Sequence, residues 1–142
     1  MRLFFDGLVG LAVFFSSAVS FAGVTDLPAK VTDARVFEAP GDPDPVYLMH
    51  REESGTAAKP GAIRIDTRFT TPSGEVVAIE TYEYEPAASS GAKDHVSYHL
   101  EQRAVGESGT IERVGRKVTY RFTDSRGREK VDSEEVGEDW GV

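Results

Sequence analysis

Apolar and polar side chains alternate with a period of two through most of the chain after Val46. Ile63, Ile65, Thr67 and Phe69 are interleaved with Arg64, Asp66 and Arg68. Val96, Tyr98 and Leu100 alternate with Ser97, His99 and Glu101, and Val118, Tyr120 and Phe122 with Lys117, Thr119 and Arg121. This is the signature of strands with one buried and one wet face. The pattern predicts strands over 46–53, 63–69, 76–85, 96–101, 110–114, 117–123 and 129–136, with a weaker one over 31–37. Within 76–85 the apolar positions Val77, Ile79, Tyr82 and Tyr84 change parity, which predicts a bulge or a change of face near Thr81.

Turn residues separate these runs. Thr71-Pro-Ser-Gly74 has proline preset at its second position and glycine at its fourth. Gly106–Gly109 reads as a turn, Gly115-Arg116 as a hairpin tip and Asp124–Gly127 as another turn, with longer connections over 55–61 and 86–94. No segment after the leader keeps apolar residues at helical spacing for the length of a helix. Strands joined in sequence order by short turns make an antiparallel meander the economical topology. The expected class is all-β: an antiparallel meander forming a curved sheet, half-barrel or small barrel, after an N-terminal signal helix.

The leading segment has its own logic. Arg2 provides a positive start, Leu3 to Phe15 is strongly apolar, and small residues at Ser20 and Ala22 precede Gly23 as a cleavage site would require. The apolar run is shorter than the roughly 20 residues of a membrane span, so a signal peptide over 1–22 is expected, with no stable membrane span after cleavage. Residues 23–45 read as a leader and a proline-rich connector, 46–136 as the β domain and 137–142 as an acidic tail holding Trp140. The product is expected to be periplasmic or secreted. The chain has no cysteine, so it carries neither a lipid-acceptor thiol nor a disulfide staple.

Charge narrows the partners. The 142 residues carry a formal net charge of −8, and an acidic surface disfavours nucleic acid and anionic membranes. Asp42 and Asp44 lie in a stiff loop too poor in oxygens for a calcium site. The chain has three histidines, His50, His95 and His99. On a strand His95 and His99 stand roughly 13 Å apart, too far to share one metal. The carboxylate pairs Glu52-Glu53 and Glu134-Glu135 point to opposite faces of a strand and form no dyad. Nothing nominates catalytic residues, a metal site or a cofactor, and a hydrolase using the histidines is the weakest of the functional alternatives.

The aromatic residues Phe69, Tyr82, Tyr84, Tyr98, Tyr120 and Phe122 carry more interest. Ordinary sheet core accounts for them, and an apolar concavity for a lipid-like ligand is the sharper reading. The mature chain is poor in apolar side chains for its length, so either the domain is marginally stable or a ligand, a partner or further sequence completes its core.

The runs Tyr47-Leu-Met-His-Arg-Glu-Glu53, Thr71-Pro-Ser-Gly-Glu-Val76, Ser97-Tyr98-x-Leu100-Glu-Gln102 and Lys117-Val-Thr-Tyr-Arg-Phe122, together with Glu80-x-Tyr82-x-Tyr84 and Gly106-Glu107, resemble a group of uncharacterised bacterial envelope proteins. That group has a signal peptide followed by a meandering β-sheet and distantly resembles the periplasmic lipoprotein-carrier half-barrels. The resemblance spans roughly residues 46–136 and implies a fold, with no functional residue carried over. Members usually continue with further strands, so a shortened or divergent member is expected. The functional expectation is an exported, non-enzymatic β-sheet protein that binds an apolar ligand, or else an interaction module that pairs with an envelope protein through a sheet edge.

Overall fold

The computed structural model describes residues 13–19, 29–56 and 59–137. They form nine antiparallel strands: β1 (Val13–Val19), β2 (Lys30–Val36), β3 (Tyr47–Thr56), β4 (Lys59–Thr70), β5 (Val76–Glu85), β6 (His95–Gln102), β7 (Glu107–Val114), β8 (Lys117–Thr123) and β9 (Glu129–Glu135). Each strand pairs with its neighbour in sequence, giving one sheet in the order β1 to β9. The first and last strands do not pair, so the sheet is an open meander and not a closed barrel. The all-β class is as the alternation predicts.

Cross-strand register turns the alternation into two faces. One row runs Arg51–Thr67–Glu80–Leu100–Gly109–Phe122–Lys130 across β3 to β9. The next runs Glu53–Ile65–Tyr82–Tyr98–Ile111–Tyr120–Asp132, and the one beyond it Ile63–Tyr84–Val96–Arg113–Val118–Glu134. Phe69, Ala78, Gln102 and Glu107 share a row on the other side of Glu80. These positions define the inner face. Among the described side chains, those buried within strands all belong to it: Ala34, Val36, Thr67, Val96 and Val118, of which Val36 and Val118 are 1% and 0% exposed.

The outer face is a lattice of polar cross-strand pairs. Arg64 binds Asp66 on its own strand (2.7 and 2.9 Å) and reaches Glu83 on β5, while Thr81 donates to Asp66 at 2.9 Å. Lys59 pairs with Glu85 at 2.8 Å and Arg121 with Glu129 at 3.4 Å. These exposed pairs fix the register more than they add stability, since such pairs are worth roughly 0–1 kcal/mol each.

The turns follow local chemistry. Gly74 closes the β4–β5 turn at φ +95°, its N–H donating to Thr71 O at 2.9 Å. Asp124 gathers the N–H groups of Arg126 and Arg128, both at 2.9 Å, which holds its carboxyl below the usual range. Asp42 turns back to accept the Ala39 N–H at 2.7 Å, so its carboxylate closes its own loop.

Several boundaries differ from expectation. The bulge lies not near Thr81 but at Val77, where Phe69 faces Ala78 and Thr70 faces Val76. Beyond it β5 is regular to Glu85, with Ile79 outside and Tyr82 and Tyr84 inside. The 55–61 connection is mostly strand: β3 runs to Thr56, β4 starts at Lys59, and a register shift between Ser54 and Thr56 absorbs Pro60 and Gly61. The turn expected over 106–109 is displaced to 103–106, and Glu107, Ser108 and Gly109 are strand residues.

A further difference concerns the leader. Residues 13–19, expected within a signal helix, run as β1 along β2, with Val13 opposite Val36 and Val19 opposite Lys30. The stretch Val13-Phe14-Phe15 is rich in strand-favouring types, and β2 otherwise offers an unpaired edge as a template. The expected cleavage site, Ser20 to Gly23, lies outside the described residues, as does Trp140 in the tail.

Candidate functional site

A cavity of about 350 Å³ opens on the inner face, bordered by residues from β3 through β8. Neighbouring strands are about 4.8 Å apart, so a flat sheet would hold Tyr47 on β3 and Phe122 on β8 on the order of 24 Å from each other. Their sharing one cavity requires the sheet to curl toward this face. The volume falls in the range of small-molecule sites. No second layer of described residues covers it.

The rows explain where the cavity lies. Its floor comes from Phe69, Ala78 and Gln102, then Glu80, Leu100, Gly109 and Phe122, then Tyr98, Ile111 and Tyr120. The row holding Val96 and Val118 closes one end with fully packed side chains. At the other end stand Ala104 and Val105 of the β6–β7 turn. The Val77 bulge contributes here, because Val77 O accepts the Ala104 N–H at 3.3 Å and ties the turn to β5. Val105, 53% exposed, thereby sits at the cavity mouth.

Of the aromatic residues singled out in the sequence, Phe69, Tyr98, Tyr120 and Phe122 line this cavity. Tyr82 and Tyr84 share its face but not its wall: Tyr82 stands in register between Ile65 and Tyr98, and Tyr84 between Ile63 and Val96. Sequence reasoning missed Gly109 and Glu80. Gly109 faces Leu100 on one side and Phe122 on the other, so its missing side chain leaves the floor open.

Glu80 is the acidic side chain of the cavity wall. Burial holds its carboxyl above the usual range, against the opposing influence of the Tyr98 hydroxyl and of Arg51. Burial, followed by the Glu80 charge, pushes the Tyr98 phenol up to about 12. Tyr120 donates to Glu134 at 2.6 Å and is also pushed up to about 12, mainly by that bond. Both phenols are therefore neutral donors at physiological pH, suited to binding and not to proton transfer.

The histidines lie elsewhere. His50, His95 and His99 all point to the outer face, where His50 meets Asp33 at 2.7 Å and Glu52 at 3.1 Å, His95 meets Glu112 at 3.0 Å, and His99 meets Thr110 at 3.1 Å. Among the described residues no three metal-ligating side chains converge. The bonds to Asp33 and then Glu52 raise the His50 pKa above its ordinary 6.5. Its stabilising effect is therefore fully present below pH 6.5 and is lost as pH rises through the elevated folded-state value. Comparing thermal melts of the native chain with His50→Gln should show the native advantage shrinking from pH 6 to pH 8. With both partners exposed the effect should stay under about 1 kcal/mol. An advantage that grows toward pH 8 would refute the assignment.

Fold and site together define an open antiparallel β-meander with a concave apolar face. The chain matches no protein-family model, no curated protein and no solved structure.

Proposed function

We propose that this chain works without catalysis, as an exported protein of the periplasm or the secreted space that holds a lipid-like apolar molecule against the concave face of its sheet. One observation carries the reading: an apolar cavity of about 350 Å³ at the centre of the inner face, where a sheet protein would ordinarily place its tightest packing. The fully buried valines sit instead at the margins, Val36 on β2 and Val118 in the closing row. Water in contact with such a wall is unfavourable by about 25 cal/mol per Å² of apolar surface, so an apolar occupant gains from entering. The signal-like leader supplies the argument for export.

Native mass spectrometry of protein expressed from the full chain and purified without detergent tests this. A bound species with the mass of an acyl lipid is expected. Protein that carries nothing and also fails to take up the neutral apolar dye Nile red would refute the reading.

A second reading draws on β1. Removal of residues 1–22 would take away the strand paired to β2 and leave Lys30–Val36 as an open edge able to accept a strand from an envelope protein. The opposite edge suits this less, since β9 carries Glu129, Asp132, Glu134 and Glu135 and is exposed throughout. Proline at Asp33 and at Arg35 in turn, whose N–H groups point toward the open edge, should block pairing along β2 if this edge is used. Unchanged capture of a partner by both variants would exclude it.

A further inference from the structure

The cavity wall is apolar apart from a few groups, and their arrangement is uneven. Arg121, which also borders the cavity, directs its guanidinium to Glu129 on the outer face, 3.4 Å away. Gln102 lies one row from Glu80 toward the mouth. Glu80 itself stands in register between Thr67, which is buried, and Leu100, which is apolar.

A carboxylate offers about four lone-pair sites. Tyr98 stands diagonal to Glu80 across β5 and β6, and Arg51 stands in the same inner-face row two strands away, with Thr67 between. The wall thus presents a half-buried carboxylate that makes no hydrogen bond or ion pair to any described residue, on an otherwise largely apolar surface. Pairing a buried charge with an ionic donor is the strongest interaction such a group can make, while a second carboxylate beside it would be repelled.

We propose that the cavity selects a long-chain amphiphile with an ammonium head group, its chain laid along Phe69, Leu100 and Phe122 and its head hydrogen-bonded to Glu80, and that it rejects the matching fatty acid. This deepens, and rests on, the reading of the concave face as an apolar-ligand site. Charge complementarity fixes the head group, and the apolar floor fixes the body.

The experiment uses the full chain loaded with Nile red, displaced by dodecylammonium or by dodecanoate at one ionic strength, below their micelle concentrations. Dodecylammonium should displace the dye at a concentration about tenfold lower, a factor characteristic of one charge-assisted contact. Glu80→Gln should bring the two ligands to within about twofold of each other, and Glu135→Gln, on the exposed outer strand, should leave the tenfold preference intact.

Equal displacement by the two ligands, or a preference for dodecanoate, overturns the proposal and leaves the apolar site standing. A preference that survives Glu80→Gln also overturns it, because the overall acidity of the chain would then be its source. Failure of the native chain to take up Nile red removes the apolar site and this proposal together.

Discussion

Val118→Asp is expected to leave the β domain unfolded at room temperature. Val118 is wholly buried, in register between Arg113 and Glu134, and the row beyond Arg113 leads to Val96, which is also buried. Arg113 runs between these valines with its Nε buried and without a partner, while its terminal nitrogen binds Asp94 at 2.7 Å. That corner already contains one buried polar atom without a partner. Stripping a carboxylate of its water there costs several kcal/mol, which one contact with the Arg113 Nε offsets only in part, against the roughly 5–15 kcal/mol that stabilises a typical domain. With so few fully buried side chains, this domain is expected near the lower bound. Val118→Ala gives the graded version. Loss of two methyl groups plus the residual cavity should cost about 2 kcal/mol, a fall in Tm on the order of 8–16 °C for a domain of this size. Val131→Asp is the control: Val131 is half exposed on β9, and the same chemistry there should move stability by no more than about 0.5 kcal/mol. Far-ultraviolet circular dichroism with thermal melting reads all three. A cooperative melt of Val118→Asp within a few degrees of the native chain would show that the closing row is not the structural anchor.

What the sequence made legible, and what it hid, follow from the same cause. Ile63 to Phe69 could be read correctly because apolar and charged side chains alternate there without exception, and only one face can then point inward. In β5 the signal is ambiguous: Ile79 lies on the outer face opposite Arg68 and Glu101, so apolar character alone does not report which way a side chain points. The bulge was consequently expected near Thr81 when it lies at Val77. Glycine misled in a similar way. Gly109 reads as a turn residue, yet it is in mid-strand, where its neighbours Leu100 and Phe122 make a missing side chain useful. The leader's composition speaks of export but says nothing of the conformation the segment takes beside an unpaired edge.

The site was partly visible for the same reason. Aromatic residues at strand spacing announce an apolar face, and Phe69, Tyr98, Tyr120 and Phe122 do line the cavity. Their grouping depends on register across strands far apart in sequence, which composition cannot supply. Tyr82 and Tyr84 lie nearer the closed end, and nothing local distinguishes them from Tyr98. Glu80 is a charged residue in a run of alternating strand residues and would ordinarily be placed in solvent. Only its position in a row between Thr67 and Leu100 makes it part of the wall.

Gly109→Leu is expected to abolish ligand uptake while preserving the fold. The backbone there is ordinary extended strand, so a side chain introduces no strain of the kind a left-handed glycine would impose. An added Cβ meets Arg121 O at 3.6 Å, a normal van der Waals distance, and points onto the inner face between Leu100 and Phe122. Replacing a mid-strand glycine should stabilise the sheet by up to about 1 kcal/mol, which offsets minor crowding at the floor. The leucine occupies the space through which an apolar chain would lie, so Nile red affinity should fall at least about tenfold, equivalent to roughly 1.4 kcal/mol. Gly109→Ala should fall between, since a single methyl group narrows the floor without filling it. The separation of the two readouts gives the test its force: most substitutions that harm binding also lower Tm, whereas this one should leave Tm unchanged or raised. Undiminished dye uptake by a folded Gly109→Leu protein would place the ligand somewhere other than the concave face.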